Sequence, residues 1–265
     1  MGKVSVLPSC DKTRKAEIAE RFEILSEMTR STIEGNIRAM IVTGPPGVGK
    51  SYGILEELEK MNLFRDIGGQ KARYQVVKGA MTALGLYCKL YEFSDKGNIL
   101  VFDDCDSILQ DELSLNILKA ALDSGKKRRI FWNTDSRKLD NDGVPNSFDF
   151  HGSVIFVTNI KFENIRSKKL RDHLEALESR CHYLDLTLDT ERDKFLRIEQ
   201  IAETGALFQD HKLTENQGNE ILNFMKENKE RLREISLRMA VKIADLYKST
   251  PKWKQTASMT CMRRK

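Results

Sequence analysis

The residues best placed to do chemistry are Gly44, Pro45, Pro46, Gly47, Val48, Gly49, Lys50 and Ser51, with Tyr52 after them. They follow an apolar run, Ala39 to Thr43, that reads as a buried strand, and precede Ile54, Leu55 and Leu58 at helical spacing. In such a strand, glycine-rich loop and helix unit, backbone N–H groups converge on a phosphate chain. The helix N-terminus adds about half a positive charge behind it. Lys50 is then expected at the β- and γ-phosphates of a nucleotide, and the Ser51 hydroxyl on Mg²⁺. The pattern Gly-x4-Gly-Lys-Ser/Thr arises by chance in roughly one chain in a hundred of this length, so the flanking strand and helix decide the assignment.

Two further strand ends carry polar groups. Ile99-Leu100-Val101-Phe102 leads into Asp103 and Asp104, and Val154-Ile155-Phe156-Val157-Thr158 leads into Asn159. Continuous apolar runs of this length suit parallel strands buried on both faces, whose C-terminal ends are where ligands bind. Asp103 is expected in the shell of a metal ion and Asp104 beside an attacking water. The competing reading, a helix cap and a turn, suits Asp106. Asn159 is expected to orient water without adding charge.

These strands need helices around them, and the periodicity supplies them at Tyr52–Met61, Thr82–Phe93, Leu113–Leu122 and Lys168–Ser179. Ile18, Phe22, Leu25 and Met28 mark an amphipathic helix at the entrance of the main domain. From Thr190 onward the pattern is all-helical, with Thr214 and Gln217 as a capping box and Ser236 capping a last helix. Arg238 sits in that helix's first turn, where the helix dipole disfavours a cation and an external anion would favour it. The resulting organisation is an N-terminal helical segment over residues 1–35, a core over 36–188, a helical domain over 189–250 and a basic tail over 251–265.

The 265 residues carry a net charge of +5, and the five cysteines are scattered without a Cys-x-x-Cys pair. This excludes a disulfide framework and a zinc site of ordinary spacing. No apolar run of membrane-spanning length and no signal-like segment is seen, so a cytoplasmic location without membrane attachment is expected. Positive charge is concentrated at Lys248, Lys252, Lys254, Arg263, Arg264 and Lys265. Between Lys126 and Gly152 the alternation around Arg128-Arg129-Ile130-Phe131-Trp132 and Ser147-Phe148-Asp149-Phe150, with Asp140-Asn141-Asp142-Gly143 between, predicts a protruding hairpin. Its arginines and Trp132 would suit a nucleic-acid strand.

In this order of motifs the chain resembles the AAA+ ATPases over about residues 15 to 250. The resemblance implies an α/β P-loop NTPase fold, a three-layer αβα parallel sheet with a small C-terminal all-α lid domain. ATP and Mg²⁺ are the implied ligands. Gly44 to Ser51 match Walker A, Asp103 and Asp104 match Walker B, Asn159 matches sensor 1 and Arg238 resembles sensor 2. Arg180, in a Ser179-Arg180-Cys181 setting similar to that of clamp-loader subunits, resembles an arginine finger facing outward to a neighbour. That arrangement implies a head-to-tail ring, hexameric by expectation, or a helical oligomer. One departure is that the second Walker B acid is usually Glu, whereas Asp104 is a methylene shorter, as in superfamily 3 helicases. The Phe148-Asp149-Phe150-His151-Gly152 lead and the Trp253 ending resemble AAA+ proteins of bacteriophages, which would place the chain in a host cytoplasm. The implied activity is ATP hydrolysis driving a DNA motor or loader, contacting nucleic acid through segment 128–150 and the basic tail. The alternative is a remodeller gripping a polypeptide client with Lys78 to Met81.

Overall fold

A computed structural model describes residues 10–67, 74–134 and 136–264. The chain divides into two compact units. One holds Ile24–Gly44 and Lys50–Thr187; the other holds Met1–Glu23, Pro45–Gly49 and Leu188–Lys265.

The chain enters through α1 (Asp11–Ile33). The sheet unit then contains β1 (Ala39–Thr43), α2 (Lys50–Ile67), β2 (Tyr74–Lys78), α3 (Ala83–Glu92), β3 (Ile99–Asp103), α4 (Asp106–Gln110) and α5 (Glu112–Ala121). It continues through β4 (Arg129–Phe131), α6 (Arg137–Asp142), β5 (Ser147–Asp149), β6 (Ser153–Val157), α7 (Lys168–Glu178) and β7 (His182–Asp185). The five-stranded sheet is parallel, in the order β2-β3-β6-β1-β7. Every residue of β1, β3 and β6 is buried, as their unbroken apolar sequences require, while the edge strands β2 and β7 are half-exposed. This is the α/β P-loop fold expected from the motifs.

Leu86 and Leu90 of α3, Leu115 and Leu118 of α5 and Leu174 and Leu177 of α7 share one core with Leu100, Phe102, Val154 and Phe156 of the sheet. Burying each such side chain contributes about 1.5–3 kcal/mol. The parallel register then brings the C-terminal ends together, with Lys78 beside Asp103 and Asp103 beside Val157.

The segment between Lys126 and Gly152 differs from its expectation. β4 and β5 do pair antiparallel, with Ile130 opposite Phe148, but α6 joins them and Gly143 is its left-handed C-cap, with φ +66°. The Asp-Gly step therefore ends a helix instead of turning a hairpin. Of the residues expected to face outward from this pair, Arg128 and Trp132 turn inward instead. Arg128 is buried, donating to the carbonyls of Ala121 and Gly152 with its guanidinium 5.3 Å from the Phe150 ring. Trp132 packs 5.5 Å from Tyr87. The period of two turns Arg129 and Phe131 outward.

The helical unit contains α8 (Glu191–Glu203), α9 (Glu215–Glu227), α10 (Leu237–Ser249) and α11 (Trp253–Thr260). Thr190 caps α8, Thr214 and Gln217 form the capping box of α9, and Ser236 caps α10 by accepting from the Met239 N–H. Residues 251–264 are not a frayed tail. Trp253 is buried 5.1 Å from the Phe224 ring, Ala257 and Cys261 join the same core, and Met262 forms an antiparallel bridge with Leu232. Nor is the N-terminal helix a separate segment. Its first half belongs to this unit, where Arg14 donates twice to the buried Asp193, at 2.8 and 2.9 Å, and Lys15 pairs with Glu199 and Glu203.

Candidate functional site

In the sheet unit, the residues singled out by type converge at the strand ends. Lys50 opens α2, and its ammonium donates to the Gly44 carbonyl at 2.7 Å and to Asn159 Oδ1 at 2.8 Å. Asn159 in turn donates through Nδ2 to Asp104 Oδ1 at 2.9 Å. The amide thus has one end on a cation and the other on an anion, which fixes its orientation. Ser51 Oγ donates to Asp103 Oδ1 at 2.7 Å, and Asp103, at the buried end of β3, is 4% exposed.

Asp104 is exposed and adopts φ +54°, a left-handed conformation that few residues other than glycine accept. Its N–H donates to the Val157 carbonyl of β6 at 3.0 Å, holding the turn that lifts the carboxylate off the strand end. Asp106, the alternative cap, instead accepts from Thr158 Oγ1 at 2.6 Å and carries no cap of its own helix.

The sequence named Lys78 only as a possible client contact and did not place it beside Asp103. As the last residue of β2 it lies in register with Asp103, and its ammonium is 3.1 Å from Asp103 Oδ2. Both oxygens of this carboxylate are therefore engaged, one by a hydroxyl and one by a cation. Sheet register, which no local motif reports, sets that contact.

The loop ahead of Lys50 is built for backbone contact. Gly44 approaches Leu186 so closely that a Cβ would lie 3.0 Å from its carbonyl carbon and oxygen. Within the helical unit, Gly47 has φ +72°, and a Cβ there would meet Ser236 Cβ at 2.7 Å. The Leu237 N–H donates to the Gly47 carbonyl at 2.9 Å, so the first turn of α10 grips the loop. Arg238 follows in that turn, exposed, with its Cγ 3.7 Å from the same Cβ position. Arg197 of α8, which no sequence pattern singled out, is a second cation beside the loop, its Nε 3.5 Å from the Val48 carbonyl. Its guanidinium stacks 3.4 Å from the centroid of the Phe22 ring, and burial lowers its pKa to about 10. Val48 is buried and Tyr52 is exposed.

Arg180 does not face freely outward. It is half-buried after the end of α7, donates through Nη1 to the Ala176 carbonyl, and its Nε is enclosed. Neither Glu175 nor Glu178 takes its guanidinium.

These donors fit a magnesium nucleotide. A hydroxyl and a carboxylate oxygen lie together at Ser51 and Asp103, and the described residues hold no cluster of three or more His, Cys, Asp or Glu side chains. Mg²⁺ is ordinarily bound this way, through one or two protein oxygens with substrate phosphates and water completing the shell. At Gly44 and Gly47 the loop backbone lies so close to Leu186 and to Ser236 that a Cβ would clash, so only glycine lets it take this course.

No helix among the described residues is long and apolar enough to cross a membrane. The chain matches no protein-family model. Its fold is similar to that of the ORC2 protein of Aeropyrum pernix in the ADP form, with a TM-score of 0.51 and 14% identity over 90% of this chain and 67% of that one. The same protein in its ADPNP-ADP complexes gives a TM-score of 0.51 and 13% identity over 99% and 72%. These likenesses show a shared fold, the parallel α/β sheet of P-loop type described above. In sequence, 259 residues are 34% identical to a 36.7 kDa uncharacterized protein from the nrdC-mobD intergenic region of Enterobacteria phage T4, covering 97% of this chain and 78% of the phage protein. With that identity over nearly its whole length, the chain belongs to the family of this phage T4 protein.

Proposed function

We propose that the chain is a Mg²⁺-dependent ATPase that hydrolyses ATP to ADP and phosphate at sites shared between neighbouring copies, and that it acts on DNA. The observation that carries the reading is the chain Lys50, Asn159, Asp104, adjoining the Ser51 and Asp103 pair at the ends of adjacent parallel strands. Lys50 is aimed by a carbonyl and an amide, so its charge is available to phosphate without searching among rotamers. Ser51 and Asp103 would hold Mg²⁺, which when bound with ATP neutralises charge on the phosphoryl oxygens. Asp104, oriented by Asn159, is the group to accept a proton from water. In the helical unit, Arg238 beside Gly47 is the cation proposed to sense the phosphates.

Arg180 is the candidate for the arginine supplied to a neighbour, for which it would leave the Ala176 carbonyl. An arginine given in trans raises turnover roughly 10³- to 10⁵-fold in related hydrolases. The Arg180→Ala variant should therefore bind ATP and fail to turn it over, and mixing it with Lys50→Ala protein should restore activity at mixed interfaces. No rescue at any ratio would contradict shared sites.

DNA is favoured by Arg129 and Phe131, which β4 presents outward together, the guanidinium 5.7 Å from the ring centroid. A cation beside an exposed ring is what stacking on single-stranded bases uses. The second reading, remodelling of a polypeptide, is favoured by the exposed Gly79 and Ala80, held between the Lys78–Asp103 pair and the Met81 contacts with Ser107. ATPase rates with single-stranded DNA, duplex DNA and an unfolded protein, each at two salt concentrations, separate the readings. Stimulation by DNA that falls away with salt is expected; stimulation by polypeptide alone would favour the second.

A further inference from the structure

The bridge between Leu232 and Met262 has a consequence for the charges beside it. The Arg263 N–H donates to the Arg231 carbonyl at 2.8 Å and the Arg233 N–H to the Cys261 carbonyl at 3.0 Å, so Arg231 stands directly opposite Arg263. Leu232 and Met262 turn inward and are buried, which sends Arg231, Arg233 and Arg263 outward; Lys229 and Arg264 flank them, all exposed. Arg231 closes the turn after α9, its N–H donating to the Asn228 carbonyl at 2.9 Å, and the Arg263 guanidinium donates to the Arg233 carbonyl at 3.3 Å, which gathers the three cations around the bridge. Like charges directly opposite on paired strands are destabilising. Among the described residues no acid forms an ion pair with any of these arginines, and the neighbouring Glu234 is given to Lys242 at 3.8 Å.

We propose that this arginine cluster is a binding surface for the phosphate backbone of nucleic acid. The proposal rests on the DNA-directed reading above and gives it a second, separate surface on the helical unit. The guanidinium fork matches phosphate oxygens two at a time, which an ammonium does not. A row of phosphates also offers several anions at once to the arginines gathered at this bridge. A bilayer is disfavoured, because the apolar side chains alternating with the arginines face the core and leave none to insert. An acidic polypeptide is the competing occupant.

The test measures anisotropy of labelled single-stranded and duplex DNA with the full chain at several salt concentrations, for wild type and for R231Q/R233Q/R263Q/R264Q. The variant should bind at least tenfold more weakly, and its log–log salt slope on single strands should be shallower by about 2 to 3. Binding of a fluorescent ATP analogue should be retained, so failure of the nucleotide site and failure of this surface give different results. A variant of the β4 segment, K126Q/K127Q/R129Q, should leave the part of the slope owed to the cluster in place. The single substitution R231E should weaken DNA binding and raise the Tm in its absence, since it places an acid opposite Arg263. DNA binding by the quadruple variant equal to wild type, a lower Tm for R231E, or wild-type affinity for polyglutamate and none for DNA would each overturn the proposal.

Discussion

Asp104 combines the proposed role beside the attacking water with a left-handed backbone, φ +54°. A non-glycine residue in the left-handed region costs about 1–2 kcal/mol, and Asp tolerates it better than most. Asp104→Ala should therefore destabilise the fold by about 1 kcal/mol while Asp104→Gly does not, and both should lose turnover; denaturant midpoints beside ATPase rates check the pair. Asp104→Asn should retain ATP binding and lose turnover by about 10²-fold or more. Lys50, Ser51, Asp103, Asp104 and Asn159 were legible in the sequence because each ends an apolar run or sits in a contiguous motif. The pairing of Lys78 with Asp103 and the place of Arg197 were not, since one depends on strand register and the other on packing against Phe22.

Two thiols give the sheet unit an alkaline signature. Burial, with Asp103 and Asp106 nearby, pushes Cys105 from the ordinary 9.0 to about 11, and burial pushes Cys181 to about 12. Because their folded values lie above the unfolded one, the stability they contribute is present below pH 9 and is lost as pH rises towards 11 and 12. The urea midpoint should fall between pH 8.5 and roughly pH 10.5, and fall less in C105A/C181A. A fall that is the same in both proteins would contradict this.

Elements were more legible than their partners. The parallel strands announced themselves as continuous apolar runs, and Thr190, Thr214 and Ser236 marked helix starts through local cap chemistry. The segment around Arg128 and Trp132 was misread because alternation gives the period of a strand and not which face is inside. Ile130 and Phe148 fill the core, yet Arg128 is buried too, its charge met by carbonyls and the Phe150 ring. Likewise the cations of residues 251–264 hid a helix, α11, whose Trp253 and Ala257 face inward although Met259 is exposed. Trp253→Ala should thus cost the helical unit about 3–5 kcal/mol, read as loss of cooperative unfolding or a large drop in Tm. A solvated tail would show no change.

For the whole molecule, the glycine-rich motif proposed to bind phosphate is divided between the two units along the chain. Pro45–Gly49 clusters with the C-terminal helices, Lys50 and Ser51 with the sheet. Gly47→Ala should therefore act in the helical unit, pressing on Ser236 Cβ, and abolish nucleotide binding while the sheet unit keeps its fold. Equilibrium binding of a fluorescent ATP analogue checks it, and retained affinity would show that the loop yields.

The central claim is that ATP is hydrolysed by the Lys50, Asn159 and Asp104 group where copies of the chain meet. Turnover per subunit, measured over a wide range of protein concentration for wild type and Asp104→Asn, addresses it most directly. The account predicts a rate per subunit that climbs with wild-type concentration and stays near zero in the variant. A rate independent of concentration and equal in the two proteins would contradict it.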